Sequence, residues 1–373
     1  MTHRERILAV YRGQTPDVVP FMLDLSHWFY HRHGRPWDLS ASFMTPDSEL
    51  IDYHRSSGVG FYIPNLGSVM DSSYGPNVVA KTEKIQNGQD VEIVWSLETP
   101  GGRIWRTRQW SQQTYSWHIS RWGVRTQQDI KVLTEALSSL TFRPAVERYQ
   151  NWVREVGDIG VVYASSSYSA MGQLLNYWMG VEQTMYAVCD WPELVAEAVE
   201  AINAALLGAM DALCLLPAEI IIMGDNFSSD LQPPAFFNRW SRAFYAEAVR
   251  RIHAAGKCVA VHVDGRLRGL LRVFAELGVD CIDAVTPAPM GDLTGQQCRD
   301  EAGPALILSG GVPPTLWLPE VPKETFIRSV MDWLELRKRS PRLIANAGDQ
   351  VPPGAEEDRI ALMRDLVEKH GRY

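Results

Sequence analysis

The stretch Val259-Ala260-Val261-His262-Val263-Asp264-Gly265 places a histidine and a carboxylate two positions apart at the end of a short, β-branched apolar run. A run of this length stopping at glycine predicts a buried strand. Residues i and i+2 of a strand share a face, so His262 and Asp264 point together at whatever lies beyond the strand's C-terminal tip. A buried strand does not end in polar groups without a partner or a task. A second run, from Arg342 through Ala347 to Gly348-Asp349-Gln350-Val351-Pro352-Pro353, brings Asp349 to a comparable tip.

These residues are compatible with three chemistries. His262, Asp264 and Asp349 form an N,O,O set that suits zinc or another divalent ion with one open position. A histidine in a dry mouth, held by a neighbouring carboxylate, suits general acid or base work, in which Asp225 and Asp283 could share. The same side chains could instead hydrogen-bond a substrate. Asp225 precedes the next helix by too many residues to be its N-cap, so it is assigned to the site with His262 and Asp264. His27, His31 and His33 lie among Trp28, Phe29, Tyr30 and Trp37. The i, i+4 pair His27 and His31 lacks the glutamate of an H-E-x-x-H pattern, so a loop wall over a pocket is expected rather than a metal site. Asp24, His27, Trp28, Asn226 and Asp283 are expected to contact substrate. Gly310-Gly311 gives a weak phosphate-loop signal, with no Lys-Ser/Thr ending. No G-x-G-x-x-G after a strand, no G-x-S-x-G elbow and no Cys–His signature occurs.

Scattered positions meet only if the fold brings them together. Strand patterns fall at 18–25, 58–63, 161–165, 219–223, 258–263, 279–285, 305–309 and 342–347. Helical patterns separate them, beginning with Thr2–Tyr11, where Thr2 and Glu5 form a capping-box pattern, and Thr45–Ser56, with Pro46 in its first turn. Eight such strand–helix pairs in 373 residues predict a (β/α)8 TIM barrel, whose active sites lie at the strands' C-terminal ends. Residues 74–120 break the rhythm. Alternating runs around Gln86-Asn87-Gly88 and Thr99-Pro100-Gly101 predict an antiparallel β-hairpin insertion after the second strand, inside one domain spanning 1–373.

A formal charge of −8 with dispersed Lys and Arg argues against nucleic acid or an anionic membrane as partner. No apolar window reaches membrane-spanning length, and the charged start resembles no secretory or transit segment, so a cytoplasmic protein is expected. Five cysteines without a C-x-x-C spacing read as buried, reduced thiols. Thirteen tryptophans are enough to supply both core and a wall for a planar ligand.

The chain resembles the uroporphyrinogen decarboxylase superfamily along nearly its whole length. The likeness runs through Arg4-Glu5-Arg6-Ile7-Leu8-Ala9-Val10, Pro16-Asp17-Val18-Val19-Pro20, Met179-Gly180-Val181-Glu182, Asp190-Trp191-Pro192-Glu193, His262-Val263-Asp264-Gly265, Ser309-Gly310-Gly311-Val312-Pro313 and Gly348-Asp349-Gln350-Val351-Pro352-Pro353. The resemblance implies a TIM barrel and a homodimer. The porphyrin-pathway decarboxylases carry an arginine-rich motif after the first strand. Here Phe21-Met22-Leu23-Asp24-Leu25-Ser26-His27-Trp28 stands instead, and Asp24 would repel a polyanionic porphyrinogen. The other branch holds corrinoid- and folate-linked methyltransferases, several with zinc on His-x-Cys and a distant Cys. His262 matches the histidine, whereas Asp264 and Asp349 replace both thiolates. The resemblance therefore implies a methyltransferase moving a methyl group from a small donor, such as a methoxy-aromatic packed by Trp28 and Trp37, to a corrinoid protein or tetrahydrofolate. A cofactor-free decarboxylase or lyase on a small organic acid, and a barrel that binds without turnover, remain the alternatives.

Overall fold

The computed structural model describes residues 1–35, 37–39, 43–88 and 90–373. Eight parallel strands line up in chain order: β1 Met22–Leu23, β2 Gly60–Phe61, β3 Ala164–Ser165, β4 Ile220–Phe227, β5 Cys258–Val263, β6 Cys281–Val285, β7 Ile307–Val312 and β8 Leu343–Ala347. Strands β3 to β8 form one six-stranded sheet, and β1 pairs with β2. Single parallel bridges, Phe21 to Ala345 and Phe61 to Gly160, link this pair to both edges of the larger sheet. The result is the TIM barrel that the strand count predicts.

Strand alternation divides the apolar residues into two cores. Met22, Tyr62, Tyr163, Ile220, Ile222, Ala260, Cys281, Ile307 and Ile344 face inward and meet Ile7, Leu8, Val10 and Tyr11 of the first helix, His3–Tyr11. That helix, held by the Thr2–Glu5 capping box, plugs the N-terminal end of the barrel. The larger core lies outside, where Ile221, Val259, Val261, Ile282 and Leu308 meet the helices. The same parity that sends Ala260 and Cys281 inward sends His262 and Asp283 inward one layer higher.

Some boundaries differ from expectation. The helix expected at Thr45–Ser56 spans Ser48–Ser57, because the Asp47 carboxylate accepts from the backbone N–H of Glu49 and Leu50 and caps it; Pro46 lies before it. Strand β4 shifts register against β5 between Met223 and Phe227, and Asn226 there has φ of +49°. The glycines after β7 serve packing. A Cβ at Gly310 would lie 2.2 Å from Val285 O and one at Gly311 would lie 2.4 Å from the Trp333 ring. Cys189 is exposed, contrary to the expectation of burial, and Cys281 and Cys298 are buried.

The insertion is larger than a hairpin. Val79–Asn87, Asp90–Thr99, Gly102–Ser111 and Ser116–Arg121 form a four-stranded antiparallel sheet in sequence order. Its two connections to the barrel, Met70–Ser73 and Thr141–Pro144, pair with each other and clamp its base. Its far turn docks on the segment after β1. The Tyr115 hydroxyl donates to Arg35 O, and Trp117 Nε1 donates to Trp37 O at 2.7 Å. No helix is long and apolar enough to cross a membrane among the described residues.

Candidate active site

His262 and Asp283 are register partners on adjacent strands β5 and β6, so their side chains meet above the inner core. His262 Nδ1 donates to Asp283 Oδ2 at 3.0 Å. Asp283 is fully buried and accepts two more hydrogen bonds, from Tyr62 OH to Oδ2 at 2.5 Å and from Ser309 Oγ to Oδ1 at 3.1 Å. Asn346 Nδ2 donates on to Ser309 Oγ at 3.4 Å. Five strand ends, those of β2, β5, β6, β7 and β8, thus build one polar layer.

The layer fixes the charge of the histidine. Burial alone would push the His262 pKa down, but the hydrogen bond to Asp283 and the charges of Asp283, Asp349 and Asp264 raise it to about 9. At neutral pH the ring is an imidazolium whose Nδ1 is oriented by a carboxylate. Asp349 feels the reverse balance. Burial raises it to about 6, with His262 opposing the shift and Asp264 adding to it. The expected trio of His262, Asp264 and Asp349 is therefore electrostatically coupled. Among the described residues, however, no three His, Cys, Asp or Glu side chains are arranged to hold a metal ion. The residues present do not fit a zinc site, so no step below passes through one.

The other expected site residues separate into distinct roles. Asp283 positions His262 instead of facing a ligand. Asp264 is exposed just past the end of β5. Asp24 is buried and shared out: its Oδ1 accepts from Ser26 N and Oγ at 2.9 and 2.6 Å, and Oδ2 accepts from Gln350 Nε2 at 3.2 Å. Burial raises it to about 6. Asp225, assigned to catalysis by its position, is wholly buried and accepts from the Ser169 backbone N–H at 2.5 Å and from the Ser169 hydroxyl. Ser169 in turn caps the helix Ala170–Gln173. Asp225 therefore holds in place the residue that caps a helix of the neighbouring βα unit. Trp28 is core, its indole donating to Ala355 O at 2.9 Å. His27 Nε2 donates to Tyr115 O at 2.7 Å, and its ring lies 4.7 Å from that of Trp37. The cluster is expected as a loop wall, but His27, Trp28 and His31 lie on the helix Ser26–Arg32, and the His27 contact ties that helix to the insertion. Asn226 sits in the β4 irregularity, partly buried.

His262 opens into a cavity of about 340 Å³ at the C-terminal ends of the strands. Its wall includes Trp37 after β1, Ser165 at β3, Tyr168 and Tyr177 beyond it, and Arg108 from the insertion. Of these, the sequence reading assigns a ligand-packing role only to Trp37. Tyr62 lacks any flag because it reads as an ordinary strand residue. Arg108 and Tyr177 lie in segments read as a hairpin and as helix.

The family model described as uroporphyrinogen decarboxylase (URO-D) matches residues 127–370, more than half of the chain. Among solved structures, a methyltransferase from Methanosarcina mazei superposes with a TM-score of 0.60 at 15% identity, covering 99% of this chain and 99% of its own. A B12-independent methionine synthase from a Shewanella species, in complex with selenomethionine, gives 0.47 at 10% identity over 95% of this chain and 97% of its own. No curated protein sequence matches. The barrel, its polar layer at the strand ends and the matched segment assign the chain to a family, and it belongs to the uroporphyrinogen decarboxylase family.

Proposed function

We propose that this protein is a methyltransferase of the uroporphyrinogen decarboxylase family in which His262 is the general acid and Asp283 its positioning residue. The observation that supports this reading is the imidazolium–carboxylate pair facing a semi-enclosed cavity. Loss of a methyl group from oxygen, nitrogen or sulfur leaves a poor anionic leaving group, and a positioned acid with a pKa above neutral can protonate it as the bond breaks. The heteroatom keeps the bond electrons, takes the proton from His262 and departs as R–XH, while the methyl carbon passes to the acceptor. Tyr62, Ser309 and Asn346 act through Asp283, holding the ring in one orientation. The barrel and the insertion work as one domain, because Arg108 of the insertion lines the wall around the donor.

The cavity lies near the lower end of the small-ligand range, roughly 300–1,000 Å³. It suits a compact donor and leaves a bulky acceptor at its mouth. We propose a corrinoid on a partner protein, or tetrahydrofolate, as that acceptor, which when bound supplies the nucleophile. The test is methyl transfer by the purified protein from methoxy-aromatic, methylamine and methylthiol donors to reduced cobalamin or tetrahydrofolate. Transfer that disappears in His262→Gln is the expected result. Release of CO₂ from small organic acids without any acceptor, and no methyl transfer, would replace this reading with the decarboxylase alternative, in which the same imidazolium protonates carbon.

A further inference from the structure

A second lobe of about 370 Å³ adjoins the mouth cavity, lined by the insertion sheet and the barrel. The two lobes share Gly67, Ser165, Ser166, Ser167 and Tyr177. Arg106 and Arg108 stand two positions apart on the insertion strand Gly102–Ser111, so they share a face. Arg106 lines the outer lobe and Arg108 the lobe that contains His262. Their guanidinium carbons lie 4.1 and 4.9 Å from the centre of the Tyr177 ring.

Arg106 is 4% exposed, yet among the described residues its Nε and Nη1 have no hydrogen-bond partner, and Arg108 Nε has none either. The strongest electrostatic neighbours of Arg106 are Tyr177, Arg108 and Tyr74, not a carboxylate. The rings of Trp95 and Trp178, at 4.3 and 5.1 Å, with Tyr177, offset part of the burial cost. They cannot satisfy N–H donors in the plane of the guanidinium. A buried charge without a counter-ion is among the costliest features a fold can keep, and a cation pair beside a reaction cavity is completed by an anion.

We propose that the two-lobed cavity binds a planar carboxylate, its carboxyl group on Arg106 and Arg108 and its ring against the aromatic wall of Trp37, Phe43 and Tyr168. The far end of the ligand then faces His262, so the methyl donor becomes an aromatic acid. This identification of the donor rests on the reading of His262 as the reacting group; carboxylate binding does not.

Calorimetric titration of the full-length protein with benzoate, 4-methoxybenzoate and uncharged methoxybenzene tests the site without requiring turnover. The carboxylates are expected to bind at least about tenfold more tightly than methoxybenzene, as charge-assisted, bidentate contacts require. Arg106→Met and Arg108→Met should each weaken benzoate about tenfold or more, with Arg106→Lys between Met and wild type. Without ligand, Arg106→Met should melt at a higher temperature than wild type, because an unpaired buried charge has been removed. Should it fail to fold, the half-buried Arg108→Met carries the test. Equal affinity for benzoate and methoxybenzene, unchanged benzoate affinity in the Met variants, or inorganic phosphate binding as tightly as benzoate would overturn the proposal. Tight, arginine-dependent benzoate binding without methyl transfer would uphold the anion site and remove only the methyl-transfer reading.

Discussion

Replacing Asp283 with Asn tests the central electrostatic argument most directly. The substitution keeps the side-chain shape and one of the two oxygens that accept from the Tyr62 and Ser309 hydroxyls, and it removes the charge that His262 Nδ1 meets at 3.0 Å. In the wild type His262 is raised from 6.5 to about 9, against the opposing effect of burial and mainly by Asp283. Burial acts in the opposite direction and persists in the variant, with only the charges of Asp349 and Asp264 left to oppose it, so the His262 midpoint should fall well below 9. Histidine-selective NMR titration, with His262→Gln to assign the resonance, reads this directly. Stability must follow. Because the folded pKa exceeds the unfolded one, the contribution is fully present below about pH 6.5 and is lost as pH rises through about 9. Wild-type melting temperature should therefore decline across that window, and Asp283→Asn should lose most of the decline. A midpoint that stays near 9 in the variant would refute the assignment of the raised pKa to Asp283, and with it the acid role built on that pair.

Other perturbations separate chemistry from scaffolding. His262→Gln should lower the transfer rate by about 10²–10⁴-fold with little change in donor affinity, measured as kcat against KM. Asp349→Asn should raise the melting temperature at pH 7 but not at pH 4, since burial holds the native acid up to about 6 and its ionisation above that range opposes folding. Asp225→Ala should destabilise by about 1–3 kcal/mol in denaturant unfolding, because the Ser169 donors lose their acceptor. Trp28→Phe should cost about 1 kcal/mol through the lost bond to Ala355 O and leave benzoate affinity unchanged.

The barrel was legible because its signals are local. Period-2 apolar runs and capped amphipathic stretches locate all eight strands, and the Thr2–Glu5 capping box forms as its spacing predicts. His262 was legible for the same reason: a polar residue inside an apolar strand is visible without any knowledge of its neighbours. What surrounds it was not. Asp264 shares its parity and follows it by two residues, yet the partner is Asp283, 21 positions away, because parallel register places β5 beside β6. Asp225 read as a site residue, since nothing in its vicinity shows that Ser169 of the preceding βα unit will take both carboxylate oxygens.

The insertion makes the same point at larger scale. Turn signals identified antiparallel strands near the right places, and strand parity put Arg106 and Arg108 on one face. Only the docking of that sheet, with Tyr115 against Arg35 and Trp117 against Trp37, decides that this face closes over the barrel mouth. The sequence by itself determined which segments become strands and which strand ends carry polar groups, since both follow from backbone periodicity and burial. Tertiary structure alone decided which of those groups meet, and therefore their charge states, because a pKa depends on distances of a few ångströms between residues the chain keeps far apart.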